Sequence, residues 1–232
     1  MKQKILNFLK KILEMIEPEG IPFPGSIIYG KIMENFPLYD NNLKNIASHP
    51  YIKGLDGSIV DIGTGPANLP IYIAQNNPNC KIIAFDVSKA MIRLASQNIK
   101  KAALTNRISQ KLGNAAKLPF PDNSIDLIIS TGSFHHWKNP IKAFNEIFRV
   151  LKENGKAWIY DAVNPLPKEN FAALTQKYGR LAVTLFYLHT FSEPFYEEKT
   201  IRNVISKSNF KTGNIKRVSI LYKIELEKNG KN

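Results

Sequence analysis

The chain has a single cysteine, Cys80, among its 232 residues. That excludes intrachain disulfides and a cysteine-based zinc cluster, and no metal centre is expected. Long apolar runs are missing too: none approaches the roughly 18 residues of a membrane span. The N-terminal stretch does not read as a secretory signal, because Lys10, Lys11 and Glu14 interrupt it. There is no internal repeat and no low-complexity segment. Acidic residues are scarce, 19 against 32 basic, for a net charge of +13. The basic excess is 2 over residues 1–53, 5 over 54–162 and 6 over 163–232, so no segment forms a cationic block. Such a charge favours anionic partners but says little about fold. A cytoplasmic protein with no membrane span is expected, and its oligomeric state is left open.

What is present is an apolar content of 44%, enough for a sizeable core. Ile5, Leu6, Leu9, Ile12, Leu13 and Ile16 form a helical stripe. Pro18, Gly20, Pro22, Pro24 and Gly25 then break the chain, and a second helix over 26–36 is expected to stop at Pro37. From Asp56-Gly57 onward strand and helix alternate. Strands are expected at 58–62, 81–86, 107–112, 125–130 and 156–161, with helices at 69–77, 88–102 and 139–151. Ser88 suits an N-cap, and Gly155 suits the turn after the third helix. This alternation predicts parallel strands with right-handed crossovers. Residues 163–209 break the rhythm with an aromatic-rich insert, helical over 168–188 and 197–208. The alternation of Ile215, Val218, Ile220, Tyr222, Ile224 and Leu226 predicts two further strands. The expected fold is α/β, a doubly wound, mostly parallel seven-stranded sheet of Rossmann-like type with helical lid elements. Residues 1–53 are expected to form an N-terminal helical lid and 54–232 the main domain, with its insert at about 163–209.

The stretch Ser58 to Asn68 carries the chemistry. A buried strand ends at Ile62, and Gly63, Thr64 and Gly65 turn the chain into a helix near Asn68. Paired glycines let backbone approach a ligand, and the helix N-terminus offers free N–H groups. Asp61 discriminates between ligands. A carboxylate beside this turn repels a pyrophosphate and suits an ammonium group. A dinucleotide fingerprint also wants Gly or Ala where Asn68 stands. The turn therefore predicts a cationic, phosphate-free nucleoside. Asp86 ends the second strand, where its carboxylate can accept both ribose hydroxyls. Asn114, with Ala115 beside it, follows the third strand, and its amide can donate and accept along an adenine edge. Val87, Met91 and Leu118 are apolar candidates to sandwich the base. After the fourth strand, Ser130 to Trp137 places polar and aromatic groups where an acceptor would sit. Either His135 or His136 could position that acceptor or take its proton, with His136 ahead because Trp137 can fix its neighbour. Packing competes with that role for both histidines, and Trp137 itself reads as packing. Cys80 lies at the other end of its strand and reads as inert.

From Ile59 to about Asp161, a little under half the chain, the sequence resembles the class I S-adenosylmethionine-dependent methyltransferases of the broad small-molecule subset. The motifs that carry this are Asp61-x-Gly63-x-Gly65, Asp86 ahead of Ser88 and Met91, and Asn114-Ala115 ahead of Leu118-Pro119-Phe120. Ser124-Ile125-Asp126, His135-His136-Trp137 and Arg149-Val150-Leu151-Lys152 before Gly155 extend them. Each is weak alone, and their order and spacing are strong. The resemblance implies S-adenosylmethionine as cofactor, S-adenosylhomocysteine as product and a small-molecule methyl acceptor. Gly63 and Gly65 would then line the methionine side, Asp86 the ribose, and Asn114 with Ala115 the adenine; Thr64 and Ser130 complete the expected set. The family often has a third glycine where Ala67 stands and Asp where Asn114 stands. Two other readings stay open: methylation of RNA or protein, which the charge favours, and a binding module without turnover. No Asn/Asp-Pro-Pro-Tyr/Phe motif follows the fourth strand, no cysteine lies in a site loop, and no appended RNA-binding domain is visible.

Overall fold

The computed structural model describes residues 37–162, 195–218 and 221–229, with a few positions between 172 and 180. The helices expected at 2–16, 26–36 and 168–188 lie in whole or part outside the described residues. The element order begins with α1 (Pro37–Ala47), α2 (Pro50–Lys53), β1 (Ser58–Ile62), α3 (Asn68–Asn76), β2 (Lys81–Asp86), α4 (Lys89–Lys101) and β3 (Ile108–Leu112). It continues with β4 (Ile125–Thr131), a 3-10 turn (Phe134–His136), α5 (Pro140–Val150), β5 (Leu151–Ala162), α6 (Glu198–Lys207), β6 (Asn214–Val218) and β7 (Leu221–Glu227).

The strands form a 7-stranded sheet in the order β3-β2-β1-β4-β5-β7-β6. β1 to β5 pair in parallel, and β7 runs antiparallel to both β5 and β6. The expected fold class is the one found. Strand order reverses between β1 and β4. In open α/β sheets the crevice at such a switch point, beyond the carboxyl ends of the strands, is where ligands sit.

Both faces are covered, which is why β1 and β4 are buried along most of their length. One face packs Ile59, Ile82 and Leu127 against Leu43, Ile73 and Ile99 of the first helices. The other packs Val60, Ile128 and Ile159 against Phe144 and Ile147 of α5 and Ile201 of α6. α5 starts where Asn139 accepts from the Lys142 N–H at 3.1 Å, followed by Pro140. Ser88 caps α4 as expected, accepting from the Met91 N–H at 3.4 Å.

The described part of α1 begins at Pro37, whose fixed φ and missing N–H suit a first helical turn, and the helix expected over 26–36 lies outside the described residues. Leu43, Ile46, Ala47 and Ile52 are buried in the same core as β1. One expectation changes. Gly155 does not end α5; that helix passes straight into β5 at Leu151. Ile125 pairs with Leu151 but Leu127 pairs with Lys156, so the chain bulges between them. A Cβ on Gly155 would lie 2.8 Å from the Lys152 carbonyl oxygen, and glycine lets the bulge close.

Candidate functional site

The turn after β1 is pinned to β2, because the Gly63 and Thr64 N–H groups both donate to the Phe85 carbonyl, at 2.8 and 3.1 Å. Gly63 and Gly65 have φ of +73° and +53°, in the left-handed region. Their bareness serves different ends. A Cβ on Gly63 would stand 2.3 Å from the Ser133 side chain, so this glycine admits the loop after β4 rather than a ligand. A Cβ on Gly65 would meet nothing within 4 Å, so this glycine borders open cleft.

Asp61 is 1% exposed beneath the turn. Its Oδ2 accepts from the Thr64 hydroxyl at 2.8 Å, while Oδ1 is buried with no partner. Burial pushes its carboxyl up to about 7; the Thr64 bond opposes this and the Asp86 charge adds to it. An unmatched buried acceptor costs about 1–3 kcal/mol, a cost that a cationic donor would remove. Asp86, at the end of β2, accepts from the Gly65 N–H and the Ser88 N–H, each at 2.9 Å. Burial raises its carboxyl too, against the backbone bonds that lower it. Val87 and Met91 share its wall of the cleft.

Asn114 and Ala115 form the facing wall. The Asn114 Oδ1 accepts from the Ala116 N–H at 2.7 Å, which curls the loop after β3. That loop is clasped from α5. Glu146 accepts the Leu118 N–H at 2.8 Å, and the Arg149 guanidinium donates to the Leu118 and Phe120 carbonyls at 2.9 Å each. Leu118 therefore points into the core and is not a wall of the cleft. Ser130 is fully buried in β4 and off the wall, its hydroxyl 2.8 Å from that of Ser133.

The far end of the cleft is built from Tyr39 of α1, Thr131 and Gly132 at the end of β4, and His136. The Tyr39 hydroxyl donates to the Thr131 carbonyl at 3.3 Å, and burial pushes the phenol up to about 12. His136 is exposed on the cleft; His135 is 6% exposed behind it, the ring centroids 3.9 Å apart. Trp137 packs edge-on against Phe134 and Phe144.

These observations converge with three comparisons. Residues 60–159 match the family described as methyltransferase domain. The demethylmenaquinone methyltransferase of Lactiplantibacillus plantarum is 24% identical over 195 residues, covering 76% of this chain and 80% of that protein. A crystal structure of a candidate S-adenosylmethionine-dependent methyltransferase from Methanococcus maripaludis superposes with a TM-score of 0.69 at 28% identity, over 90% of this chain and 94% of that one. Over residues 60–159 the chain is a methyltransferase domain of the class I S-adenosylmethionine-dependent family. The uncharacterised protein YafE of Escherichia coli is 34% identical over 100 residues, and there the match spans only 47% of the relative.

The methyltransferase cleft fits the cofactor of this family. The unpartnered Asp61 oxygen suits an ammonium group, and Gly65 borders open space in the cleft above it. Of the residues expected from sequence, Gly63, Thr64, Gly65, Asp86, Val87, Met91, Asn114, Ala115 and His136 come together on the cleft, Asp61 lies beneath it, and Ser130 and His135 stand behind it. Tyr39, Leu43 and Asp161 escaped the sequence reading. Leu43, Ile46 and Ala47 carry a helical spacing that could have flagged α1. Asp161 stands near the end of its strand much as Asp86 does, a repeat of the same signal. Among the described residues, no helix is long and apolar enough to cross a membrane, and no three His, Cys, Asp or Glu side chains group as a metal site would need.

Proposed function

We propose that the protein transfers a methyl group from S-adenosylmethionine to a small-molecule acceptor, with S-adenosylhomocysteine as product. When bound, the cofactor supplies a methyl group already activated on a sulfonium. In this reading Asp61, Thr64 and Gly65 hold its methionine part while Gly63 shapes the turn against Ser133, Asp86 holds its ribose, Val87 and Met91 the face of its base, and Asn114 and Ala115 the base's edge. Ser130 acts from beneath, through Ser133. His136 borders the acceptor, and His135 backs it. Alignment across the cleft supplies much of the rate, because the donor needs no further activation. A cytoplasmic location goes with a lone, buried cysteine.

The observation that carries the reading is the Asp61 carboxylate, buried with one oxygen unmatched directly under the glycine turn. A phosphate there would meet like charge; an ammonium would complete the site. Relatives such as the demethylmenaquinone methyltransferase support a small acceptor. Calorimetry with S-adenosylmethionine, S-adenosylhomocysteine, NAD and ATP decides between ligands. Binding of the two methionine nucleosides alone is expected. Tight NAD binding with no response to them would end this reading.

A further inference from the structure

The basic charge is not spread evenly over the surface. Between Asp86 and Asp122 the chain carries seven basic residues and no acidic one. One of them, Arg107, has a structural task, donating to the Asn77 and Cys80 carbonyls at 2.7 and 3.2 Å. The other six are exposed, and among the described residues none of them is in an ion pair. Elsewhere Lys44, Lys152, Lys156 and Arg202 each meet a carboxylate at 2.8 Å or less. Lys89, Arg93 and Lys100 form a stripe on α4, opposite Met91, Ala95 and Ile99, which are buried. Lys100 suits the last turn of a helix, where the macrodipole favours a cation. Lys89 runs against that preference: it opens α4, and no acidic residue stands in the first turn. Lys111 stands on β3, the edge strand, and Lys117 follows in the loop whose Asn114 and Ala116 wall the cleft.

Two apolar side chains are exposed beside these cations. Leu112 is 43% exposed and Val87 37%, two of the three large apolar residues so exposed among the described residues. The register pairs Asp86 with Leu112, so Val87, next along the chain, lies beside it at the carboxyl ends of β2 and β3. Val87 also lines the cleft.

We propose that this rim, with Lys89 and Arg93 of α4, Lys111 and Lys117 around β3, and Val87 and Leu112 between them, docks on an anionic lipid surface. The contact is independent of the methyl-transfer chemistry. Unpaired cations gathered on one edge repel each other, and the phosphates of neighbouring lipid headgroups offset that repulsion together. Val87 and Leu112 give the headgroup zone an apolar contact that needs no spanning helix. A nucleic acid would meet the same charge. Single strands, however, are held by rings that stack on bases, and no aromatic side chain is exposed here among the described residues. A duplex would gain nothing from Val87 and Leu112. Because Val87 belongs to both the rim and the cleft wall, docking brings the mouth of the cleft to the lipid.

The test uses the full chain and phosphatidylcholine vesicles, with or without about 30% phosphatidylglycerol. Cosedimentation should show binding to the anionic vesicles alone, weakening as salt rises from about 0.05 to about 0.5 M. Lys89→Gln with Arg93→Gln should weaken binding about tenfold or more, since each cation near a charged membrane counts severalfold. Leu112→Ser should weaken it at unchanged net charge. Lys199→Gln with Lys207→Gln removes the same charge from exposed positions on α6 and should leave binding close to wild type. Chemical denaturation checks that each variant is folded. No binding to anionic vesicles would overturn the proposal, and so would an equal loss in both charge pairs. Binding that survives Lys89→Gln with Arg93→Gln would place the contact elsewhere in the chain and overturn it too. A single-stranded RNA that binds where vesicles do not, and is released by the same two changes, would make this face a nucleic-acid site instead.

Discussion

Asp61 and Asp161 are both buried carboxylates at the ends of parallel strands that flank the cleft, yet their surroundings differ. Asp161 is saturated, with two backbone N–H groups and a ring nitrogen on its oxygens. Asp61 has one hydroxyl on one oxygen and nothing on the other. A saturated carboxylate works by holding a neighbour. An unsaturated one is a strained acceptor whose missing partner has to come from outside the chain. The same fold thus carries a saturated acid beside the histidine pair and an unsaturated one under the glycine turn. Between them lies Tyr39, whose hydroxyl is raised by burial first and by both charges in addition.

The harshest way to break this contrast is to collapse the turn that separates the two sides. Gly63→Val places a β-branched side chain at a positive φ and drives it into Ser133. Strain and overpacking together should cost about 2–5 kcal/mol of stability, read from chemical denaturation. Because the collision is with the β4 loop, the loss should appear without any ligand. A variant of wild-type stability that fails only in cofactor binding would show that Gly63 faces the ligand after all.

Asp61→Asn tests the unsaturated acid directly. The folded carboxyl titrates near 7 and the unfolded one at 3.8. The folded state therefore holds the proton between these values while the unfolded state releases it. Stability contributed by this group falls as pH rises from about 4 to about 7 and is level above that. Burial of the charge costs on the order of a few kcal/mol there, and the Asp61→Asn change should abolish that slope. Cofactor binding should run the opposite way, tightening in the wild type as pH rises through 7, because an ammonium prefers the ionised acid. An affinity flat from pH 5.5 to 8.5 would remove Asp61 from the ligand's path.

A smaller effect separates the walls of the cofactor side. Arg149→Met removes the donors that tie the Leu118 and Phe120 carbonyls to α5. Stability should fall by about 1.5–3 kcal/mol, the range for bonds to a charged group. The loop bearing Asn114 loosens, so affinity for S-adenosylhomocysteine should fall too. In an Asn114→Ala background the further affinity loss should shrink, since the loop then has less to deliver. Full additivity of the two changes would detach the clasp from the site.

Most of this was legible because strands and glycine turns are local signals. Ser58–Ile62 and Lys81–Asp86 announce themselves as short apolar runs bounded by turns and the pair at 214–227 by alternation, and strand–helix alternation implies a parallel sheet with right-handed crossovers. Asp61 and Asp86 were readable because a strand end in this topology faces the crevice. The contents of the far end were not. Tyr39 reaches Thr131 across 92 positions, and no local pattern encodes such a contact. Whether His135 or His136 faces the cleft depends on the sense of a single 3-10 turn and on the reach of Asp161, 26 residues away. Gly155 misled because a glycine serves a bulge as readily as a helix end, and the pairing of β5 with β4 chose the bulge.

The smallest expected effect concerns Ala67, where the family often has glycine. Ala67 is buried, with φ of 67° and ψ of 27°, just before α3. A left-handed backbone costs an L-residue roughly 1–2 kcal/mol, which Ala67→Gly would recover. Against that, glycine loosens the unfolded chain by about 0.4–1 kcal/mol and gives up a buried methyl worth about 0.8 kcal/mol. The terms nearly cancel, so the stability read from chemical denaturation should move by less than about 1 kcal/mol in either direction. Cofactor affinity should not change, because Ala67 is absent from the cleft wall. Ala67→Val should behave quite differently and lose at least about 2 kcal/mol, since a β-branched side chain at this φ is an outlier in a site with no spare volume. A large gain from glycine would mean that the turn is held under more strain than its backbone angles show, and equal behaviour of the glycine and valine variants would mean that it is held under none.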